Sequence, residues 1–444
     1  MSADSSSLAP LRSRIMAEQD EPRRDLAALI VARVGSLRTT GDPWEPYVLA
    51  DPSGTAVQPV AIYLRDLQAA GRAETTLRSY GMDLLRWFRF CWAADVSWSQ
   101  VTRAEARDFS RWVQIADKPA GGSQRPECVG EAAPSLAPSG LGGPGAPNPV
   151  TGKPAPGRKY AAATGAHSET VLRHFYDFHL EAGTGPMVNP FPLARGRAGG
   201  RGVNAHHNPM ELHRNQRSGL FQPRLVQRLP RQIPDGKFDE LFAALNSHRD
   251  RALVAFWVST GARASELLGA AAGDAEVGQQ LVTVIRKGTR ALQQLPASPD
   301  AFVWLRLYQA QMQGLIPAGR DQPLWWTLRR PFRPLAYHAA HRMFSRANSV
   351  LGANWTLHDL RHTAAYRMAR DPQLPLTDLQ WVLGHARLST TQLYLNPLPE
   401  DVIASVAAFH SRRACQQNTP GAGEQPGARS DYRPETLKIL FGEF

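Results

Sequence analysis

The sequence predicts a mainly α-helical protein of two domains, with a small β-sheet in the second, and three observations lead to it. Apolar residues recur at i, i+3 and i+4 through most of the patterned segments. One stretch alternates with period two and then turns at a glycine. A single glycine- and proline-rich run interrupts the helical pattern of the first half. The 444 residues, 43% of them hydrophobic, are enough for separate cores.

In chain order, residues 1–56 are an N-terminal extension with no role to assign. Its opening, "MSADSSSLAPLRSR", is polar, and "DLAALIVARV" is too short to span a bilayer, so a cytoplasmic protein with no membrane partner is expected. Residues 57–192 read as a helical domain. Within it, "AETTLRSYGMDLLRWFRFCWA" sets Leu77, Tyr80, Leu84, Phe88 and Trp92 at helical spacing, with Thr75 or Thr76 as the expected cap. Residues 118–158 hold nine prolines and nine glycines and read as a flexible insertion, because such a run cannot bury enough surface to fold alone. After it, "SETVLRHFYDFHLEAG" gives an amphipathic helix closed at Gly183. Residues 193–234 form a basic linker, with eight arginines against one acid, Glu211, between 193 and 231. Residues 235–410 are mostly helical in pattern, and 411–444 are a tail.

The hairpin of the second domain is "LVTVIRKGTRALQQLP", in which Leu281, Thr283 and Ile285 alternate with Val282, Val284 and Arg286. Gly288 supplies the turn and Lys287 sits at its rim. Upstream, "FWVSTGARASELLGA" runs from an apolar helix into Arg263, with Glu266 one turn on, a spacing that pairs Arg with Glu in many helices. Downstream, "HDLRHTAAYRMA" has Leu360, Ala364, Ala365 and Met368 at helical spacing, which sets His358, Arg361 and His362 along a neighbouring stripe. A zinc site from His358 and His362 lacks a third ligand and has Asp359 where a metalloprotease needs Glu. Three scattered cysteines, Cys91, Cys128 and Cys415, suit neither a disulfide framework nor a zinc knuckle. With 51 Lys plus Arg against 39 Asp plus Glu, the formal charge is +12, which favours a polyanionic partner.

Read together, "TGAR-x-x-E", "RKGTR", "HDLRHT" and "LGH-x-x-x-x-TT-x-x-Y" resemble the tyrosine recombinase family, the phage-integrase type of DNA breaking and joining enzyme. The resemblance is sharp from Asp235 to Leu398 and looser from Val57 to Pro192. It implies a two-domain DNA clamp, with a helical core-binding domain at 57–192 and an integrase-type, mixed but mainly helical catalytic domain at 235–410. It also implies a catalytic set of Arg263, Lys287, His358, Arg361, His385 and Tyr394, double-stranded DNA as the partner, and a homotetramer on paired sites.

These residue types suit phosphodiester transfer. Two guanidinium forks supply fixed donors for charge building on the non-bridging oxygens. His358 and His385 can donate to the same oxygens or accept the proton of Tyr394, and Lys287 can protonate the leaving 5′-oxygen. Tyr394 is the nucleophile, and the phosphotyrosyl ester keeps the free energy needed for rejoining, so no cofactor or metal is expected. His362 is left with a structural role.

The sequence departs from the family pattern at Leu395, Asn396 and Pro397, where many relatives have a Thr-His pair, at the neighbouring Arg286 and Arg290 of the hairpin, and in the 118–158 insertion. A DNA-binding protein that had lost catalysis would lack some of the six groups, and here none is missing. A type IB topoisomerase shares similar chemistry, but the domain order and the "LGH" spacing favour a recombinase. The tail ends in Leu437, Ile439, Leu440, Phe441 and Phe444, an apolar end expected to dock on a neighbouring subunit.

Overall fold

The computed structural model describes residues 24–118, 143, 145–194, 218–223, 231–395 and 399–417. They divide into two units, Met1–Arg228 with Asn348–Asn354, and Leu229–Ala347 with Trp355–Phe444. The fold class is the one expected, mainly α with small antiparallel sheets.

The first unit opens with a hairpin of β1 (Ser36–Thr39) and β2 (Tyr47–Ala50), paired antiparallel so that Leu37 faces Leu49. Helices α1 (Gln58–Ala69), α2 (Glu74–Ala93), α3 (Arg103–Ile115) and α4 (Ala162–Glu181) follow. The hairpin was not anticipated in the 1–56 extension, yet Tyr47 and Leu49 are buried in the same core as the helices. Its strands are only four residues long, too short for their alternation to stand out.

Helix α2 buries Leu77, Leu84 and Phe88 as its spacing requires, but its cap is Ala73, and Thr75 and Thr76 lie inside the first turn. Thr102 does cap α3, its side chain accepting from the Ala104 N–H while Glu105 accepts from the Thr102 N–H. Aromatic rings fill the centre. Trp87 meets Phe109 and Phe191 edge-on, and its indole N–H donates to the Tyr176 hydroxyl at 2.9 Å.

Residues 145–158 carry more structure than their composition suggests. Asn148 is buried: its side-chain oxygen accepts from the Val150 and Thr151 N–H groups, and its amide donates to the Gly352 carbonyl at 2.8 Å within the same unit. A buried amide that satisfies its own turn holds a Gly/Pro segment that burial of apolar surface could not. The basic linker, apart from 193–194, 218–223 and 231–234, lies outside the described residues, as do 1–23, most of 119–144 and the tail from 418.

The second unit begins with α5 (Asp235–Ala243), α6 (His248–Thr260) and the short α7 (Ala264–Leu268). A three-stranded sheet follows in the order β3 (Ala275–Glu276), β4 (Leu281–Ile285), β5 (Leu292–Pro296). Helices α8 (Pro299–Met312), α9 (Tyr337–Val350), α10 (Leu357–Ala369), α11 (Leu376–Leu383), α12 (Leu388–Gln392) and α13 (Pro399–Gln417) complete it. Helix α6 is buried along most of its length, from Ala252 to Trp257, and so reads as nearly continuous apolar sequence. Two glycines end helices in the left-handed conformation: Gly261 after α6 and Gly384 after α11. A Cβ on Gly261 would also lie 2.9 Å from a Leu383 methyl, so glycine is needed there twice over. Among the described residues no helix is long and apolar enough to cross a membrane.

Candidate active site

The chain ends of three helices and the turn of one hairpin meet in the second unit. Arg361, on α10, is 2% exposed. One guanidinium nitrogen donates to the Gly261 carbonyl at 2.7 Å and another to the Leu383 carbonyl at 2.6 Å. These carbonyls are the last acceptors of α6 and α11, so two helix C-termini stabilise one cation. Burial, and then repulsion from Arg263, lowers its pKa to about 10, which leaves it charged at neutral pH.

Arg263 starts α7, and its guanidinium donates to Glu266 at 2.7 Å, so the pair foreseen at i, i+3 forms. Glu266 is almost wholly buried and accepts four bonds. They come from the Arg263 N–H, the Arg263 side chain, the Arg286 side chain at 3.0 Å and the Lys287 N–H at 2.9 Å. Burial alone would raise its pKa, but these donors outweigh it and the net shift is downward, so it is a carboxylate.

Period-two alternation puts Arg286 on the inner face of β4 with Val282 and Val284, and it is 4% exposed. Its guanidinium bonds to Glu266, Gln293 and the Val382 carbonyl, while the Gln293 amide donates to the Trp381 carbonyl. The hairpin is therefore tied at its base to α11. Lys287, the next residue, points the other way and is exposed at the turn.

His385 follows Gly384. Its Nε2 lies 3.0 Å from an Arg361 nitrogen and its Nδ1 2.9 Å from the Thr391 hydroxyl. Arginine only donates, so Nε2 must accept and the ring proton belongs on Nδ1, shared with Thr391. Burial, and then the charges of Arg361, Arg263 and Arg286, pulls its pKa down to about 4. It is neutral at pH 7.

Tyr394 is 6% exposed, its ring parallel to that of His385 with centroids 6.3 Å apart and edge-on to Tyr366 at 5.2 Å. Burial raises its pKa, against the smaller opposing pull of Arg361. Its hydroxyl lies 2.8 Å from Nδ1 of His362, the histidine expected to be structural. The structure adds this contact to that expectation, because a stripe that sets His358 on one side of the helix sets the residue one turn on there too. The stripe was the signal that could have found it. His358 meets His362 edge to face at 4.3 Å.

An open cleft of about 560 Å³ is lined by Arg263, Lys287, Gly288, Tyr337, His358 and Arg361. The six residues singled out from the sequence thus come together, four on the cleft, His385 in contact with Arg361 and Tyr394 in contact with His362. Two guanidinium forks line the open cleft, Arg361 buried and Arg263 part-exposed, and fixed donors of this kind suit an anion.

A family model described as "Phage integrase family" matches residues 233–400, and one described as "Phage integrase, N-terminal SAM-like domain" matches residues 60–124, together just over half of the chain. The chain belongs to the phage integrase family of tyrosine recombinases. Both matches fall on segments where the sequence resemblance lies, the first nearly coincident with 235–398. Among relatives of this integrase-family protein, the tyrosine recombinase XerD of Yersinia pestis is 29% identical over 222 residues, 46% of this chain and 67% of the relative. The tyrosine recombinase XerC of Serratia marcescens is 30% identical over 189 residues, 41% of this chain and 60% of the relative. The alignments thus span about two thirds of those relatives or less. A solved structure of the Tn1549 transposon integrase in complex with circular intermediate DNA aligns over 78% of this chain and 98% of that one, at 13% identity and a TM-score of 0.49.

Proposed function

We propose that this protein is a site-specific DNA recombinase that cleaves and rejoins strands through a covalent 3′-phosphotyrosyl intermediate. The observation that carries the reading is the convergence of Arg263, Arg361, His358 and Lys287 on one cleft, with the Tyr394 hydroxyl bonded to His362, the residue after Arg361. A scissile phosphate in the cleft meets the two guanidinium forks, which stabilise the charge that grows on its non-bridging oxygens. His358 adds a donor. His385 braces Arg361 through Nε2, and Glu266 holds Arg263 and the Lys287 backbone in register. Tyr394 attacks phosphorus, the bond to the 5′-oxygen breaks, and Lys287 protonates that oxygen as it leaves. Rejoining runs the same steps backwards.

Double-stranded DNA is the proposed partner, supported by the formal charge of +12. The proposed working state is a homotetramer on paired sites, in the cytoplasm at the nucleoid, with the C-terminal tail docking on a neighbouring subunit.

The test is Tyr394→Phe. On a nicked duplex carrying a half-site selected by this protein from a random-sequence library, the variant binds like the parent but forms no covalent adduct. An adduct formed at the parental rate would overturn the reading.

A further inference from the structure

We propose that His362 is the catalytic base of the cleavage step, accepting the phenolic proton of Tyr394 on Nδ1. The inference rests on the recombinase reading above and adds a residue to it. The Nδ1 to hydroxyl distance of 2.8 Å is a direct hydrogen bond, within the reach that proton transfer requires. Helix α10 fixes the ring, since His362 lies one residue beyond the buried Arg361 and packs against His358.

Two of the other bases nearby are engaged. The Nε2 of His385 faces Arg361 and its Nδ1 is taken by Thr391, so neither nitrogen offers a lone pair to Tyr394. Glu266 accepts from four donors and serves the arginines. His358 lines the cleft, where a phosphate oxygen would be its partner. Burial makes the Tyr394 hydroxyl harder to ionise, which makes a base in contact more valuable.

Neutral His362 carries its ring proton on Nε2 and takes the phenolic proton on Nδ1 as the Tyr394 oxygen bonds to phosphorus. The bond from phosphorus to the 5′-oxygen breaks, and that oxygen takes its proton from Lys287. In rejoining, the 5′-hydroxyl returns its proton to Lys287 and His362 returns its own to the phenol.

The experiment uses the full-length protein on the nicked half-site duplex. His362→Asn places an amide near the position of Nδ1 but cannot take the proton. It should slow adduct formation by about 10² to 10⁴-fold, the usual range for a general base, with duplex affinity unchanged. Installing 3-fluorotyrosine at position 394 lowers the phenol pKa, and should restore about tenfold or more in His362→Asn while changing the parent by less than about threefold. A His362→Asn protein within about fivefold of the parent, or a loss that fluorination leaves untouched, would overturn the assignment. An adduct in Tyr394→Phe would instead remove the nucleophile reading and leave His362 without its role.

Discussion

Arg361 is buried and held by three partners at the centre of the site. Its two carbonyl partners fix the guanidinium, and its contact with His385 fixes the tautomer of that ring. Arg361→Ala should lower the rate of adduct formation by about 10² to 10³-fold, the scale of one lost oxyanion donor. Arg361→Lys should recover little, because one ammonium cannot bond both carbonyls in the geometry of a fork. Rates on the nicked duplex check both, and a Lys variant near the parental rate would show that charge alone is enough. His385 predicts a pH dependence of stability. Its folded pKa of about 4 lies below the ordinary 6.5, so the unfolded chain binds its proton first as pH falls. Above pH 6.5 the ring is neutral in both states and contributes nothing; between there and about 4 the folded state loses stability progressively. Thermal unfolding of His385→Gln across that window should show a shallower decline than the parent, and parallel curves would contradict the assigned environment.

At the scale of elements, the hairpin is held rather than left to swing. Arg286→Ala removes the bonds to Glu266, Gln293 and Val382 together. It should speed amide exchange in β4 and β5 and slow adduct formation about tenfold, because buried partners are left unpaired and Lys287 loses its register. Unchanged exchange would mean the network does not fix the hairpin. In the other unit, Asn148→Ala should cost about 1 to 3 kcal/mol, as it strands a buried carbonyl and two N–H groups; denaturant unfolding measures this. Helical spacing made α2, α4 and α10 legible, and alternation made β4 legible, including the inward side of Arg286. The pairing of Arg263 with Glu266 was readable because both lie one turn apart on one helix. The partner of Arg286 was not, since Val382 approaches from another element, and for Tyr394 the stripe on α10 marked His362 as a neighbour of His358 without showing which side chain it would meet. The capping of α2 was misread because threonines suit a cap by type, while the turn here begins at Ala73 without side-chain help.

For the whole molecule, the positive charge and the cleft set the behaviour. Binding to the half-site duplex should weaken steeply as salt rises, since a cationic surface gains affinity by releasing counterions from DNA. Saturating EDTA should leave cleavage and rejoining intact, as every proposed proton and charge role is filled by a side chain; activity lost to EDTA and restored by zinc would revive a metal reading of His358 and His362. Truncation after Asp431 should leave half-site binding near normal and impair the pairing of sites and strand exchange. Full recombination by the truncated protein would remove the tail from the assembly.

If the phenol of Tyr394 joins covalently to DNA, mass spectrometry of the trapped adduct reads the bond itself. After nuclease and protease digestion, the account predicts a single modified peptide, with the nucleotide attached through its 3′-phosphate to Tyr394. A nucleotide on Tyr366 or on any other residue, or a linkage through a 5′-phosphate, would contradict it.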